Sequence, residues 1–190
     1  MTVSRRVAWA AAGLMTASAG ALGPGIAHAD DRPLGGALAG FSGGILAHGV
    51  TAVSQAGFEE RGVTFNGEID FVPFLKVLGG SIYPEIGADL TTAGGTSYVY
   101  ADLKYEIMGP GNSFFGIGLG GAVHDRYLNA TSSYHNALGS RVLFHIPLEA
   151  GLAFADHYRV SVYFEHVSNG YLASPNEGLD NVGLRFGYRF

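Results

Sequence analysis

Asn181-Val182-Gly183-Leu184-Arg185-Phe186-Gly187-Tyr188-Arg189-Phe190 decides the fold, because Val182, Leu184, Phe186, Tyr188 and Phe190 alternate with Asn181, Gly183, Arg185, Gly187 and Arg189. A period of two puts the two sets on opposite faces of an extended strand. One face is apolar and the other carries two arginines. The same split recurs upstream. In Val63 to Phe71 the apolar set Val63, Phe65, Ile69 and Phe71 opposes Thr64, Asn66, Glu68 and Asp70. In Tyr98 to Ile107, Val99, Ala101, Leu103 and Ile107 alternate with Asp102, Lys104 and Glu106. Ser81 to Leu90 and Val142 to Phe154 repeat it, and Phe41 to His48, Phe114 to Val123 and Tyr158 to His166 complete a set of eight expected strands.

Composition agrees with an all-β chain. There are 30 Gly, 12% aromatic and only 14% charged residues in 190, which favours strands and tight turns over a helical bundle or a disordered chain. The net charge of −5 argues against a nucleic-acid partner. The lack of cysteine removes disulfides, thiolate metal sites and a cysteine nucleophile. Arg5 and Arg6, the apolar run Val7 to Leu22 and the small-residue site Ala27-His28-Ala29 read as a signal peptide over residues 1–29, with a barrel domain over 30–190. Turns near Gly79, Gly109 to Asn112 and Ala155 to His157 are short, whereas Gly49 to Gly62, Tyr127 to Ala137 and Asn169 to Gly178 are long. Export, an even strand number and alternating loop lengths describe an eight-stranded antiparallel outer-membrane β-barrel. The alternate aromatics that end on Phe190 are similar to the assembly signal of such barrels. The rival fold is a soluble exported sandwich or lipocalin-like barrel whose apolar face turns inward.

A barrel of eight strands is filled by its own side chains, so a pore is not expected. Glu68, Asp70, Glu85, Asp102, Lys104, Glu106, Arg141, Glu149, Arg159, Glu165, Arg185 and Arg189 are expected to point inward as an ionic network, with His124 and His145 among them. No histidine spacing suggests a metal site, and no cofactor is implied.

One polar set breaks the pattern on the outer face. The seventh expected strand reads Val160, Val162, Phe164, then His166 and Ser168, and the same face of the eighth reaches back to Asp180. Polar side chains on a lipid face cost roughly 2–4 kcal/mol at the midplane and far less at the interface, so this set belongs at the membrane surface. Residues i and i+2 lie about 6.6 Å apart on a strand and cross-strand neighbours about 4.5–5.5 Å. Asp180 can therefore orient His166 while His166 takes the Ser168 proton during attack on an ester carbonyl. The competing acid is Glu177, three residues earlier, and the bland alternative is a polar collar at the head groups.

The segment Phe164-Glu165-His166-Val167-Ser168-Asn169-Gly170, followed by Asn176-Glu177-Gly178-Leu179-Asp180, resembles the PagL-type lipid A 3-O-deacylases, with their H-x-S-N motif and following N-x-G-[IL]-E block. A looser likeness covers Gly139-Ser140-Arg141 and Phe144. The resemblance implies a serine esterase that removes an ester-linked 3-O acyl chain from lipid A of lipopolysaccharide in the outer leaflet. By that likeness Ser168 is the nucleophile, His166 the base and Asp180 the acid, with Asn169, Gly170 and Asn176 as oxyanion or substrate contributors. Asp180 stands where the family usually has Glu, and the likeness implies that Asp180→Glu keeps much activity. The alternatives are a non-catalytic barrel with a structural or adhesion role, and a lipid acyltransferase barrel, which a charged interior disfavours. Oligomeric state is left open.

Overall fold

The computed structural model describes residues 33–54, 60–92, 94–129 and 134–190, so the expected signal peptide over 1–29 lies outside the described residues. Its strands are β1 (Leu38–His48), β2 (Gly62–Phe71), β3 (Leu75–Val77), β4 (Gly80–Thr91), β5 (Tyr98–Met108), β6 (Ser113–His124), β7 (Val142–Phe154), β8 (Tyr158–Ser168) and β9 (Leu179–Arg189). Successive strands pair antiparallel, β1 pairs with β9 at Gly40↔Arg189 through His48↔Asn181, and β2 pairs with β4 past the short β3. The eight long strands thus form a closed barrel. β3 is an addition to the eight expected strands: it pairs only with the start of β4, at Leu75↔Ile82, and widens one hairpin. Three residues are too few for alternation to register.

Parity sorts the side chains. Ile45, Phe65, Leu90, Val99, Leu103, Leu119, Val162 and Leu184 lie exposed on the outer wall, while Glu68, Glu85, Asp102, Lys104, His145, Glu165 and Arg185 are buried in the lumen. An apolar exterior around a charged interior excludes the soluble rival fold, since water would meet an apolar surface far beyond the few hundred Å² typical of soluble monomers. Phe41, Phe154, Tyr158, Phe186, Tyr188 and Phe190 stack together at the end carrying the short turns, with ring centroids 5.4–6.3 Å apart. Such a cluster is half of the aromatic girdle expected at a membrane surface.

The lumen is held by one cation set among carboxylates. Lys104 Nζ lies 2.6 Å from Glu149, 3.2 Å from Glu85 and 3.4 Å from Glu68. Arg185 donates to both oxygens of Glu68 and stacks over Tyr163, and Gly44 leaves the room that its stem occupies. Toward the long loops, His145 bridges Asp102 at 2.6 Å and Glu165 at 2.9 Å. Arg159 and Arg189 reach Glu106 and Asp70 at the other end. Arg141 departs from its expected place: it is exposed at the rim, where it donates to the carbonyls of His124 and Arg126. Inward parity holds only as far as the strand does, and β7 begins one residue later. His124 keeps the expected inward parity and is buried, but it meets the Ser140 carbonyl at 2.7 Å and not a carboxylate.

Removing one member of a buried ion network strands the others without a counterion, at a cost of about 3–5 kcal/mol. Lys104→Met is therefore expected to destabilise the barrel by that amount, read as a lowered urea midpoint for unfolding from lipid vesicles. An unchanged midpoint would refute the network's role.

Candidate active site

β8 delivers two polar side chains to the outer wall at its loop end. Along the strand Tyr163, Glu165 and Val167 are buried inward, so Phe164, His166 and Ser168 face outward by the same alternation. Asp180 is the direct cross-strand partner of His166. His166 Nδ1 lies 2.5 Å from Asp180 Oδ1. A carboxylate can only accept, so Nδ1 carries the proton and Nε2 presents its lone pair. Ser168 is two residues further along the same face, about 6.6 Å in backbone spacing. Among the described residues Ser168 Oγ and His166 Nε2 have no hydrogen-bond partner, and the two are not bonded to each other. Both are half-buried, whereas Asp180 is fully buried.

Height fits the parity. β8 spans 11 residues from Tyr158, in the aromatic girdle, to Ser168. At about 3.3 Å per residue and ~40° of tilt, the hydroxyl stands about 25 Å above that girdle, the height of the apolar band. The site therefore lies at the opposite membrane surface, level with head groups rather than tails. Beside it, the outer wall opens into an apolar cleft of about 360 Å³ lined by Gly121, Val142, Phe144, Leu172 and Ala173. Phe144 is the cross-strand partner of Ser168, so the cleft starts next to the hydroxyl.

The loop after β8 is organised by Asn169. Its amide nitrogen donates to the carbonyls of Leu138 at 2.9 Å and Pro175 at 2.8 Å, and its backbone N–H donates to Asn176 Oδ1 at 2.8 Å. Both amide protons are thus spent on the loop, which removes the Asn169 side chain from the expected oxyanion donors. Gly170, with φ +61°, keeps an N–H that has no partner among the described residues, and Asn176 keeps its side-chain N–H groups. Glu177 accepts from the Ala137 N–H at 2.6 Å, so the competing carboxylate is a staple between two loops. Gly139 approaches the Pro175 carbonyl so closely that a Cβ there would overlap it, which is the physical content of the Gly139-Ser140-Arg141 segment.

Several residues around the site carry no signal in the sequence. Ala52, Val53 and Ser54 aim their N–H groups at Asp180 Oδ2, at 3.1, 2.5 and 2.8 Å. Gly178, at φ +68°, lies against His166, where a Cβ would come within 3.1 Å of the ring Cε1. Glu60 joins three loops: it meets His48 at 3.1 Å and the Thr96 N–H at 2.6 Å, and accepts from Asn136 N–H, whose amide donates to the Gly178 carbonyl. Burial alone would raise the Glu60 carboxyl, but the bonds from His48 and Thr96 outweigh it and hold it below the ordinary carboxylate range.

Residues 75–189, more than half of the sequence, match the family described as lipid A 3-O-deacylase (PagL). The chain belongs to the lipid A 3-O-deacylase (PagL) family. The crystal structure of the outer membrane enzyme PagL superposes with a TM-score of 0.58 at 25% identity, covering 78% of this chain and 98% of that one. Neisserial surface protein A matches at TM-score 0.51 and 6% identity, covering 80% of this chain and 97% of that one, a likeness of fold alone. No protein with a curated description matches. Fold and family together make the chain an outer-membrane barrel. In this PagL-family barrel the triplet of Glu68, Asp70 and Glu85 could gather around a cation among the described residues. It is deep in the lumen, with Lys104, Arg185 and Arg189 already paired to it, and far from the outer wall where His166 and Ser168 stand.

Truncating Asn169 removes the bonds that close the loop over the cleft. Asn169→Ala is expected to raise the rate of chymotryptic cleavage at the exposed Tyr171-Leu172 tip of the folded barrel roughly tenfold or more, for a loss of ~1–3 kcal/mol in local stability. Equal cleavage rates in the two proteins would show that the loop is held by other contacts.

Proposed function

We propose that the protein is a serine esterase that hydrolyses an ester-linked 3-O acyl chain of lipid A in the outer leaflet. The single observation that carries this reading is the outward His166–Asp180 pair beside Ser168, at the height where a lipid's ester bonds meet the head groups. Ser168 Oγ attacks the acyl carbonyl while His166 Nε2 takes its proton, and Asp180 holds the productive tautomer and stabilises the imidazolium. The tetrahedral oxyanion is met by the free donors next to Ser168, the Gly170 N–H and the Asn176 amide. Collapse of that intermediate breaks the ester C–O bond and leaves the acyl chain on Ser168. His166 returns its proton to the departing alkoxide oxygen, which leaves as a hydroxyl of the lipid. Water, deprotonated by the same His166, then releases a fatty acid and restores the serine.

The apolar cleft beside Phe144 is suited to the acyl chain, which reaches it laterally from the bilayer and never enters the lumen. The filled, charged lumen has no space for a hydrocarbon tail, which speaks against an acyltransferase that stores its chain inside. The substrate partner is thus lipopolysaccharide itself, with neither cofactor nor nucleic acid required. The adhesion alternative leaves the outward His166–Asp180 pair without a task.

Ser168→Ala is expected to abolish release of the acyl chain while the folded barrel still shows heat-modifiable mobility on gels. His166→Asn should match it, and the double variant should be little worse than either, because members of one catalytic unit do not add. Mass spectrometry of lipid A from cells expressing each variant makes the measurement. Full deacylation by Ser168→Ala would remove the mechanism.

A further inference from the structure

We propose that the backbone of residues 52–54 in the loop after β1 is a positioning element of the active site, clamped on the second oxygen of Asp180, and that this clamp makes the acid an aspartate. The inference rests on the deacylase reading above. Asp180 divides its carboxylate: Oδ1 accepts from His166, and Oδ2 accepts from three consecutive N–H groups, Ala52, Val53 and Ser54. Three successive N–H groups converging on one oxygen form an anion-binding nest. The same loop is stitched to β9 again, since the Val50 N–H donates to the Asp180 carbonyl at 2.9 Å and the Gly49 N–H to Asn181 Oδ1 at 3.2 Å. Asp180 is fully buried, so these bonds replace the water its charge has lost.

Geometry ties the clamp to the base. With the carboxylate pinned on one side by the loop, its other oxygen has one direction left, and that direction fixes the plane of the His166 ring. Gly178 occupies the gap between loop and ring: a Cβ on it would lie 3.1 Å from His166 Cε1 and 3.3 Å from Ser54 Cβ. Val53, 60% exposed, projects from the same turn to the surface. A glutamate at 180 would push the carboxylate out by about 1.5 Å, one C–C bond, and could not serve His166 and the nest together. The shorter acid is therefore matched to this loop, and the activity that the family's glutamate would supply elsewhere is not expected here.

Asp180→Glu is accordingly expected to lose about a hundredfold in kcat on lipid A in detergent micelles, with KM changed only a few-fold, as misplacement of a catalytic group by about 1 Å would cause. Val53→Pro, which removes the closest of the three donors, should lower kcat about tenfold in the native background and not at all in Asp180→Ala, because the loop acts only through that carboxylate. A second readout needs no turnover. Proteinase K should nick the chain within residues 49–54 faster in folded Asp180→Ala and Asp180→Glu than in native protein, while Ser168→Ala is nicked at the native rate. Near-native kcat in Asp180→Glu, an undiminished Val53→Pro loss in Asp180→Ala, or equal nicking rates would overturn the clamp. A native protein that releases no acyl chain would instead overturn the deacylase reading, and the nicking comparison would still decide whether the loop is held by Asp180.

Discussion

Hydrocarbon offers no partner for a backbone N–H or C=O, and the rest of this structure depends on that constraint. Each unpaired group costs several kcal/mol in lipid, so a sheet that crosses a membrane must close on itself. Closure here is the β1–β9 ladder, nine residue pairs from Gly40↔Arg189 to His48↔Asn181. Once the sheet is closed, the alternation of side chains leaves two destinations only, lipid or lumen. Eight strands make the lumen too narrow for water to fill it, and the inward residues must satisfy one another.

That requirement explains why so many charges are buried without being chemical. Lys104 and Arg185 sit among Glu68, Glu85 and Glu149, and His145 has a carboxylate on each ring nitrogen. His145 is chemically the same pair of groups as His166 with Asp180, but it has no free nitrogen and no route to a substrate. The proposed chemistry falls instead to His166, which faces the outer wall of β8 and keeps Nε2 unbound two residues from Ser168. Charge in the lumen is structure; polarity on the wall is where a function has to be sought.

Strand alternation made the fold and the His166, Ser168 and Asp180 set legible in the sequence, because the pleat fixes direction from position alone. The set shows as an exception to a rule that holds everywhere else on the outer face. Its surroundings were not legible for equally physical reasons. The donors from Ala52, Val53 and Ser54 are backbone groups, which every residue type carries, so nothing in those side chains announces them. Asn169 was readable as an oxyanion donor because an amide can serve a reaction or a loop, and only its two carbonyl partners decide. Arg141 escapes the parity rule because it lies one residue before the start of β7, where the pleat no longer fixes its direction.

Rigid and adaptable parts of the site come from different levels of the fold. The barrel ladder fixes His166 opposite Asp180 and Phe144 opposite Ser168, so neither the proposed base nor the proposed nucleophile depends on a loop for its place. Loops set what remains: the ring plane of His166 through Asp180, the cover of the cleft through Asn169, and the joint position of three loops through Glu60. The proposed reaction needs this division, because in it the substrate arrives sideways as a bulky lipid and the covering loops must form a wall without closing the approach. Strand geometry, whose spacing is nearly invariant, carries the distance between His166 and Asp180 that the proposed reaction cannot relax. The loops, knotted by a few buried polar residues such as Asn169 and Glu60, set the shape of the approach to that pair.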